Sequence, residues 1–289
     1  MHEYLKEFNT EKYELLIREN KFRITHIIEL NTLLTKKYDT SETDLFWNRF
    51  FLFESLLSIS FGMIRQKFTF PAIGSKSFTL RQFYHPSIEN AVKNDLEADK
   101  NVVLLTGPNM SGKSTLLKAI SLCIYLGHVG IGVPAEAAEF PLFECITVKI
   151  NHSDNLLKGY SHFMNEIMNL KKVVEHAGEH KTCFAVFDEL FIGTNIKDAV
   201  EISSTTVKGL TKFSNSIFFI STHLHQLKEN ETVKSGQVAC WYIDCNLSAG
   251  IPVFTYSLKK GWSDIRLGRV LFENEGLNKL LSSDPCEET

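Results

Sequence analysis

Residues 107–114 run Gly-Pro-Asn-Met-Ser-Gly-Lys-Ser, with four residues between the glycines and Lys-Ser directly after them. That spacing marks a loop whose backbone N–H groups cradle phosphates. Gly107 and Gly112 allow backbone angles and close approaches that a Cβ would block. Lys113 is placed to reach the β- and γ-phosphates of a nucleotide, and the Ser114 hydroxyl to ligate Mg²⁺. The flanks agree. Residues 102–106 (VVLLT) form a short apolar run expected to be a buried strand, and 115–125 (TLLKAISLCIY) carry a helical pattern. Strand, glycine-rich turn and helix together aim a helix N-terminus at an anion. The expected nucleotide contacts are Gly107, Pro108, Asn109, Met110, Ser111, Gly112, Lys113, Ser114 and Thr115.

Two carboxylates follow at a distance. The apolar run 183–187 (CFAVF) ends in Asp188-Glu189. A buried strand ending there puts both acids at the carboxyl edge of a sheet, where ligands of such sheets bind. Asp188 would hold Mg²⁺, directly or through water, and Glu189 would orient and deprotonate an attacking water. A third apolar run ends in Ser221-Thr222-His223. His223 could contact the γ-phosphate or that water; a surface histidine at a strand end is the plainer reading, and the position after a third strand favours function. Residues 151–161 form a polar loop leading into a helix with Phe163, Ile167, Leu170, Val174 and Ala177 on one face, Ser161 being placed as its N-cap. Gly193-Thr194 marks a turn before a further helix, 196–210.

The elements that must position these groups are an α/β domain. From about residue 68 to 270, strand and helix patterns alternate, which calls for a mostly parallel sheet flanked by helices. Strands are expected at 78–82, 145–150, 183–187 and 216–220, with a hairpin at 238–245 and 252–258 on one edge of the sheet. Residues 1–70 are expected to be a separate helical segment: a helix over 13–34, a polar connection over 33–44, and a helix over 45–66. Phe46, Phe50, Phe53, Leu57 and Phe61 lie on one face of the last, a stripe expected to pack against a neighbouring domain.

Composition narrows the classes. Net charge is −3 with both signs mixed, so neither strong sequence-independent DNA binding nor a membrane-surface role is indicated. The six cysteines have irregular spacing and are expected to be reduced thiols of a cytoplasmic protein, not a disulfide framework. The charged N-terminus shows no secretory signal, and the most apolar stretch, 50–64, carries Glu54 and is too short to span a bilayer.

These residues together resemble the C-terminal ATPase domain of the MutS family of DNA mismatch-repair ATPases, an ABC-type P-loop NTPase. The family loop TGPNM[GS]GKST corresponds to Thr106–Thr115, TGPNMSGKST. Arg81, His85 and Pro86 look like its RHP segment with two extra residues, and Asn94-Asp95 matches the Asn-Asp after it. Ser153-Asp154 through Gly159, Ser161, Phe163, Met164 and Glu166 matches SDD…GxSTFMxE. Asp188-Glu189 with Gly193-Thr194 matches DE…GT, and Ser221-Thr222-His223 matches [AS]TH. The match covers about residues 80–270. Met110 favours the mismatch-repair branch over the recombination-suppressing paralogues.

The resemblance implies ATP and Mg²⁺ as ligands, ADP as product, and a homodimer with composite sites in which Ser161 reaches the γ-phosphate held by the partner. It implies Asn109 as a γ-phosphate contact and His223 as the sensor. The family's adenine lies between a Phe and a His, whose places here hold Ala91 or Val92 and Tyr256. Departures are present too. Gly-Arg-Gly-Thr-Ser is Phe191-Ile192-Gly193-Thr194-Asn195 here, and the Thr after the signature Ser is His162. A mismatch-reading domain and the C-terminal dimerisation helices are absent, so the expectation is a fragment or a reduced member that engages DNA only through missing or partner domains.

Two alternatives stay open. Another ABC-type DNA-maintenance ATPase would carry an LSGGQ-like loop and long coiled-coil heptads, and neither is found. A non-hydrolysing, nucleotide-dependent interaction module would fit the altered signature.

Overall fold

Strand β4 (Val102–Thr106) shows why a sheet forms here. All five residues are buried, and they alternate between two cores, Val103 and Leu105 facing one and Val102 and Leu104 the other. A strand covered on both faces reads as a continuous apolar run, not an alternating one. Strands β7 (Cys183–Phe187) and β8 (Ile217–Ser221) are buried throughout in the same way. The computed structural model describes residues 9–37, 40–150, 162–191, 193–248, 251–265 and 267–282. Two compact units make up the chain, Met1–Arg65 and Gln66–Thr289.

The second unit is α/β and contains two sheets. In the larger, β6 (Cys145–Lys149), β9 (Ala239–Ser248) and β10 (Ile251–Lys260) join the three strands above in the order β10-β9-β4-β8-β7-β6. Every pairing is parallel except the β9–β10 hairpin, which forms one edge as expected. Both hairpin strands run longer than the sequence suggested, and Cys240 and Cys245 lie within β9.

A smaller sheet was not anticipated. Its strands are β1 (Ala72–Ile73), β2 (Thr79–Phe83), β3 (Asn94–Glu97) and β5 (Ala137–Phe140), in the order β1-β5-β2-β3. β3 and β5 are four residues each and buried only at alternate positions, too short to announce themselves by pattern. Helix α4 (Lys113–His128) packs between the sheets: Leu117, Ile120 and Ile124 share one core with Val103, Phe219, Phe78 and Phe140. At Gly127 the packing is closest, since a Cβ there would lie 2.6 Å from Cζ of Phe140. Helices α5 (His162–Gly178) and α6 (Ile196–Leu210) cover the other face. Ala177 is buried in α5 as expected, but its other buried residue is Val173, not Val174, which faces solvent. Short helices α7 (Glu231–Lys234), α8 (Leu267–Asn274) and α9 (Leu277–Ser282) complete the unit.

The first unit holds α1 (Thr10–Arg18), α2 (Ile24–Lys37) and α3 (Thr40–Gln66), the last ending at the boundary. The single helix expected over 13–34 is two. Asn20 takes a left-handed φ of 57°, and Lys21 N–H bonds Leu16 C=O at 2.8 Å, an end motif that asparagine tolerates. The polar connection expected over 33–44 is instead helical up to Lys37 and again from Thr40. The aromatic stripe of α3 is not a core. Phe53 and Phe61 are more than half exposed, and Leu57 is also exposed. No helix among the described residues is long and apolar enough to cross a membrane.

Candidate functional site

β4 ends at Thr106, and the chain turns into α4 through residues 107–112. Gly107 has φ 143° and Gly112 φ 97°, and Met110 also lies in the left-handed region at 67°. A Cβ on Gly107 would sit 3.0 Å from Ser111 Oγ, so the loop closes tightly only with glycine there. Gly112 caps α4 without any side-chain hydrogen bond, leaving the first N–H groups of the helix for a ligand. Lys113 is 5% exposed, and its ammonium donates to the carbonyls of Gly107 at 3.0 Å and Pro108 at 3.2 Å. Burial pulls its pKa down to about 8, against the opposing pull of Glu189 and Asp188. Ser111 Oγ is fully buried and has no hydrogen-bond partner among the described residues. A buried cation and an unpartnered buried hydroxyl in one glycine-shaped cradle fit an anionic ligand. Asn109 and Met110 are exposed, while Ser114 and Thr115 are partly buried on the first turn of α4.

The acids meet this loop because β7 and β8 lie beside β4 in the sheet. Glu189 Oε1 is 4.0 Å from Lys113 Nζ and in close contact with His223 Nε2. Asp188 is buried. Ser221 Oγ–H donates to Asp188 Oδ1 at 2.5 Å while accepting the Glu189 N–H at 2.8 Å. One hydroxyl thus fixes both acids, and Glu189 takes a left-handed φ of 55° as the chain leaves the strand. Further out, Glu166 Oε2 accepts Phe191 N–H at 2.9 Å, and a Cβ on Gly193 would lie 3.2 Å from that of Phe163. The turn after the acids is therefore sealed against the start of α5.

Next to the loop lies a cavity of about 400 Å³, within the size range of small-ligand pockets. Ile88, Ala91, Val92, Gly112, Thr115 and Tyr256 are among the residues that line it. Tyr256 has φ 55°, inside the register shift of β10.

The structure therefore brings together Gly107–Thr115, Asp188, Glu189, His223 and Tyr256. Ser161 and the loop before it lie outside the described residues, as does Ile192. Among the described residues no cluster of three or more His, Cys, Asp or Glu side chains forms a metal site. An Mg²⁺ held by Ser114, Asp188 and phosphate oxygens needs no such cluster. Sequence reasoning gave no role to Ser221 or Asn94. A serine ending a buried strand directly before Thr-His was the available signal for Ser221. Asn94 was visible only as part of a matched pair.

The sequence profile described as MutS domain V matches residues 103–277. DNA mismatch repair protein MutS of Staphylococcus saprophyticus is 32% identical over 223 residues, covering 72% of this chain and 24% of that protein. The Listeria monocytogenes (strain HCC23) protein of the same name is 32% identical over 213 residues, covering 71% and 24%. DNA mismatch repair protein MSH3 of Candida albicans is 30% identical over 230 residues, covering 73% and 22%. The chain thus spans about a quarter of the length of the relatives it matches.

Proposed function

The chain belongs to the MutS family, and from that premise we propose that it binds and hydrolyses ATP as the nucleotide-switched part of a DNA mismatch-repair assembly. The observation that carries this reading is the convergence of Lys113, Glu189 and His223, with Glu189 Oε1 4.0 Å from Lys113 Nζ and against His223 Nε2. The loop binds the triphosphate through its backbone N–H groups. Lys113 leaves the carbonyls of Gly107 and Pro108 and donates to phosphate oxygens. Glu189 orients a water for in-line attack and takes its proton, His223 holding the carboxylate in place. Mg²⁺, held by Ser114 and Asp188, would neutralise charge on the phosphate oxygens. Ser221, fixed to both acids, keeps Asp188 turned toward the metal position and Glu189 toward the water. ADP and phosphate leave.

The homodimer belongs to the same proposal: Ser161 of one copy completes the site of the other, adding charge stabilisation at the γ-phosphate. DNA is engaged through further domains or a partner.

Steady-state phosphate release from ATP with Mg²⁺, for the wild type beside Glu189→Gln and over a wide range of protein concentration, tests this. Expected are turnover that rises in specific activity with concentration and a loss of about 10²–10⁴-fold in the variant with ATP binding kept. Turnover that survives Glu189→Gln removes Glu189 as the base. Binding without turnover in the wild type favours the non-hydrolysing module.

A further inference from the structure

The cavity beside the loop has walls that are far apart in sequence. One is the segment 88–92 before β3; the other is Tyr256 in β10 of the larger sheet. The link between them is the carboxamide of Asn94. Its Nδ2 donates to Val92 C=O at 3.3 Å and to Tyr256 C=O at 3.1 Å, and its Oδ1 accepts Leu258 N–H at 2.7 Å. Asn94 is 8% exposed and lines the cavity. The bonds to Tyr256 and Leu258 span the place where the β9–β10 register slips, between Phe254 and Leu258. They hold Tyr256 in a left-handed conformation that a tyrosine rarely adopts unaided. That conformation brings the Tyr256 ring to 3.3 Å from where a Cβ on Gly112 would stand, over the start of α4.

The neighbouring residue does the same in the other direction. Asp95 Oδ1 accepts both the backbone N–H of Gln82, at 2.7 Å, and its Nε2–H, at 3.1 Å. Gln82 has φ 49° and lies where the β2–β3 register slips. Two adjacent side chains therefore each pin a bulge, one in each sheet, and a bulge re-aims the residue it carries.

We propose that Asn94 is a positioning residue that sets the distance between the two walls and so fixes how tightly the cavity grips the nucleoside part of a nucleotide. The inference rests on the nucleotide reading above and adds the element that makes the base side of the site. Asn94 acts through Tyr256, a flat ring suited to stacking on a base. The phosphates depend on residues 107–114 and not on Asn94.

The test is calorimetric binding of ATP and of tripolyphosphate, which lacks base and sugar. The proteins are wild type, Asn94→Ala, Asn94→Asp, Tyr256→Ala and the Asn94→Ala/Tyr256→Ala double variant. Asn94→Asp is nearly isosteric and keeps the acceptor for Leu258 N–H while turning an oxygen toward the carbonyls of Val92 and Tyr256. Expected is a loss of about tenfold in ATP affinity for each single variant, the size of one lost stacking contact. Tripolyphosphate binding should change by less than about twofold, and the double variant should be no weaker for ATP than Tyr256→Ala alone, because residues acting as a unit do not add. Full additivity overturns the claim that Asn94 works through Tyr256. A parallel loss of tripolyphosphate binding shows a general folding role and overturns it as well. A wild type that binds tripolyphosphate but discriminates no base removes the nucleoside pocket alone; one that binds neither ligand removes the nucleotide reading together with this proposal.

Discussion

The two halves of the site are built by opposite means. The proposed phosphate half is one continuous stretch, 107–115, between a strand and a helix, and it would meet its ligand mainly through backbone N–H groups. The proposed base half is assembled from residues 88–94 and Tyr256, with Asn94 and the tyrosine it holds 162 positions apart. In the first, conformation is dictated locally by Gly107 and Gly112. In the second, Tyr256 is held at positive φ by the side chain of Asn94 from another strand, and the adjacent Asp95 holds Gln82 at positive φ in the same way. Contiguous backbone makes one half rigid on its own. The other depends on the two sheets staying in register with each other.

The largest expected effect separates the halves by ligand. Lys113→Ala removes the ammonium that must serve the phosphates, and each charge-assisted hydrogen bond is worth about 1.5–3 kcal/mol. ATP and tripolyphosphate should both weaken by at least about 100-fold, where base-half variants affect ATP alone. A calorimetric loss confined to ATP would mean that Lys113 belongs with the base half.

The next effect tests the joint between the sheets. In Gly127→Ala the new Cβ would stand 2.6 Å from Phe140 Cζ and 3.0 Å from Pro71 Cγ. Phe140 is fully buried and cannot swing away. Overpacking of this kind costs about 1–3 kcal/mol, which at about 2–4 °C per kcal/mol lowers the melting temperature by roughly 2–12 °C in a unit of this size. An unchanged thermal transition would show that the smaller sheet gives way freely, and would weaken the case for a base half that needs its register.

That contrast also explains what could be read from the sequence. β4, β7 and β8 were legible because burial on both faces leaves uninterrupted apolar runs, and the acids were legible because they terminate one. β3 was not, because Asn94 and Asp95 fill half of it with polar groups whose partners lie in other strands. The break at Asn20 was missed because the apolar spacing continues across it. The exposed aromatics of α3 followed a helical spacing correctly, yet spacing does not say what covers a face.

A smaller effect comes from pH. The Lys113 pKa is lowered by burial to about 8, so the folded chain binds that proton less firmly than the unfolded chain does. Between about pH 8 and the ordinary lysine value near 10.5, the unfolded state carries more charge here, and this group's contribution to stability rises with pH. Phosphate affinity moves the other way, since it needs the ammonium. Tripolyphosphate binding should hold steady below about pH 8 and fall by up to tenfold per unit above it. Lys113→Arg, cationic throughout, should lose that step whatever its absolute affinity. A flat wild-type profile from pH 7 to 10 would mean the lysine is charged at every pH tested.

The smallest effect decides what kind of wall Tyr256 is. Its ring, not its hydroxyl, lies toward Gly112, with Cδ1 at 3.3 Å and Cε1 at 3.8 Å from the Cβ position there, and it stacks on Phe254 at 6.2 Å between centroids. Tyr256→Phe keeps the ring, the stack and the backbone bond to Asn94. ATP affinity should therefore shift by less than about twofold, because stacking contributes through the ring face. A fall of tenfold or more, with tripolyphosphate unaffected, would assign the hydroxyl a hydrogen bond to the nucleoside. The base half would then recognise its ligand by polar contact, and the difference between the halves would lie only in how each is assembled.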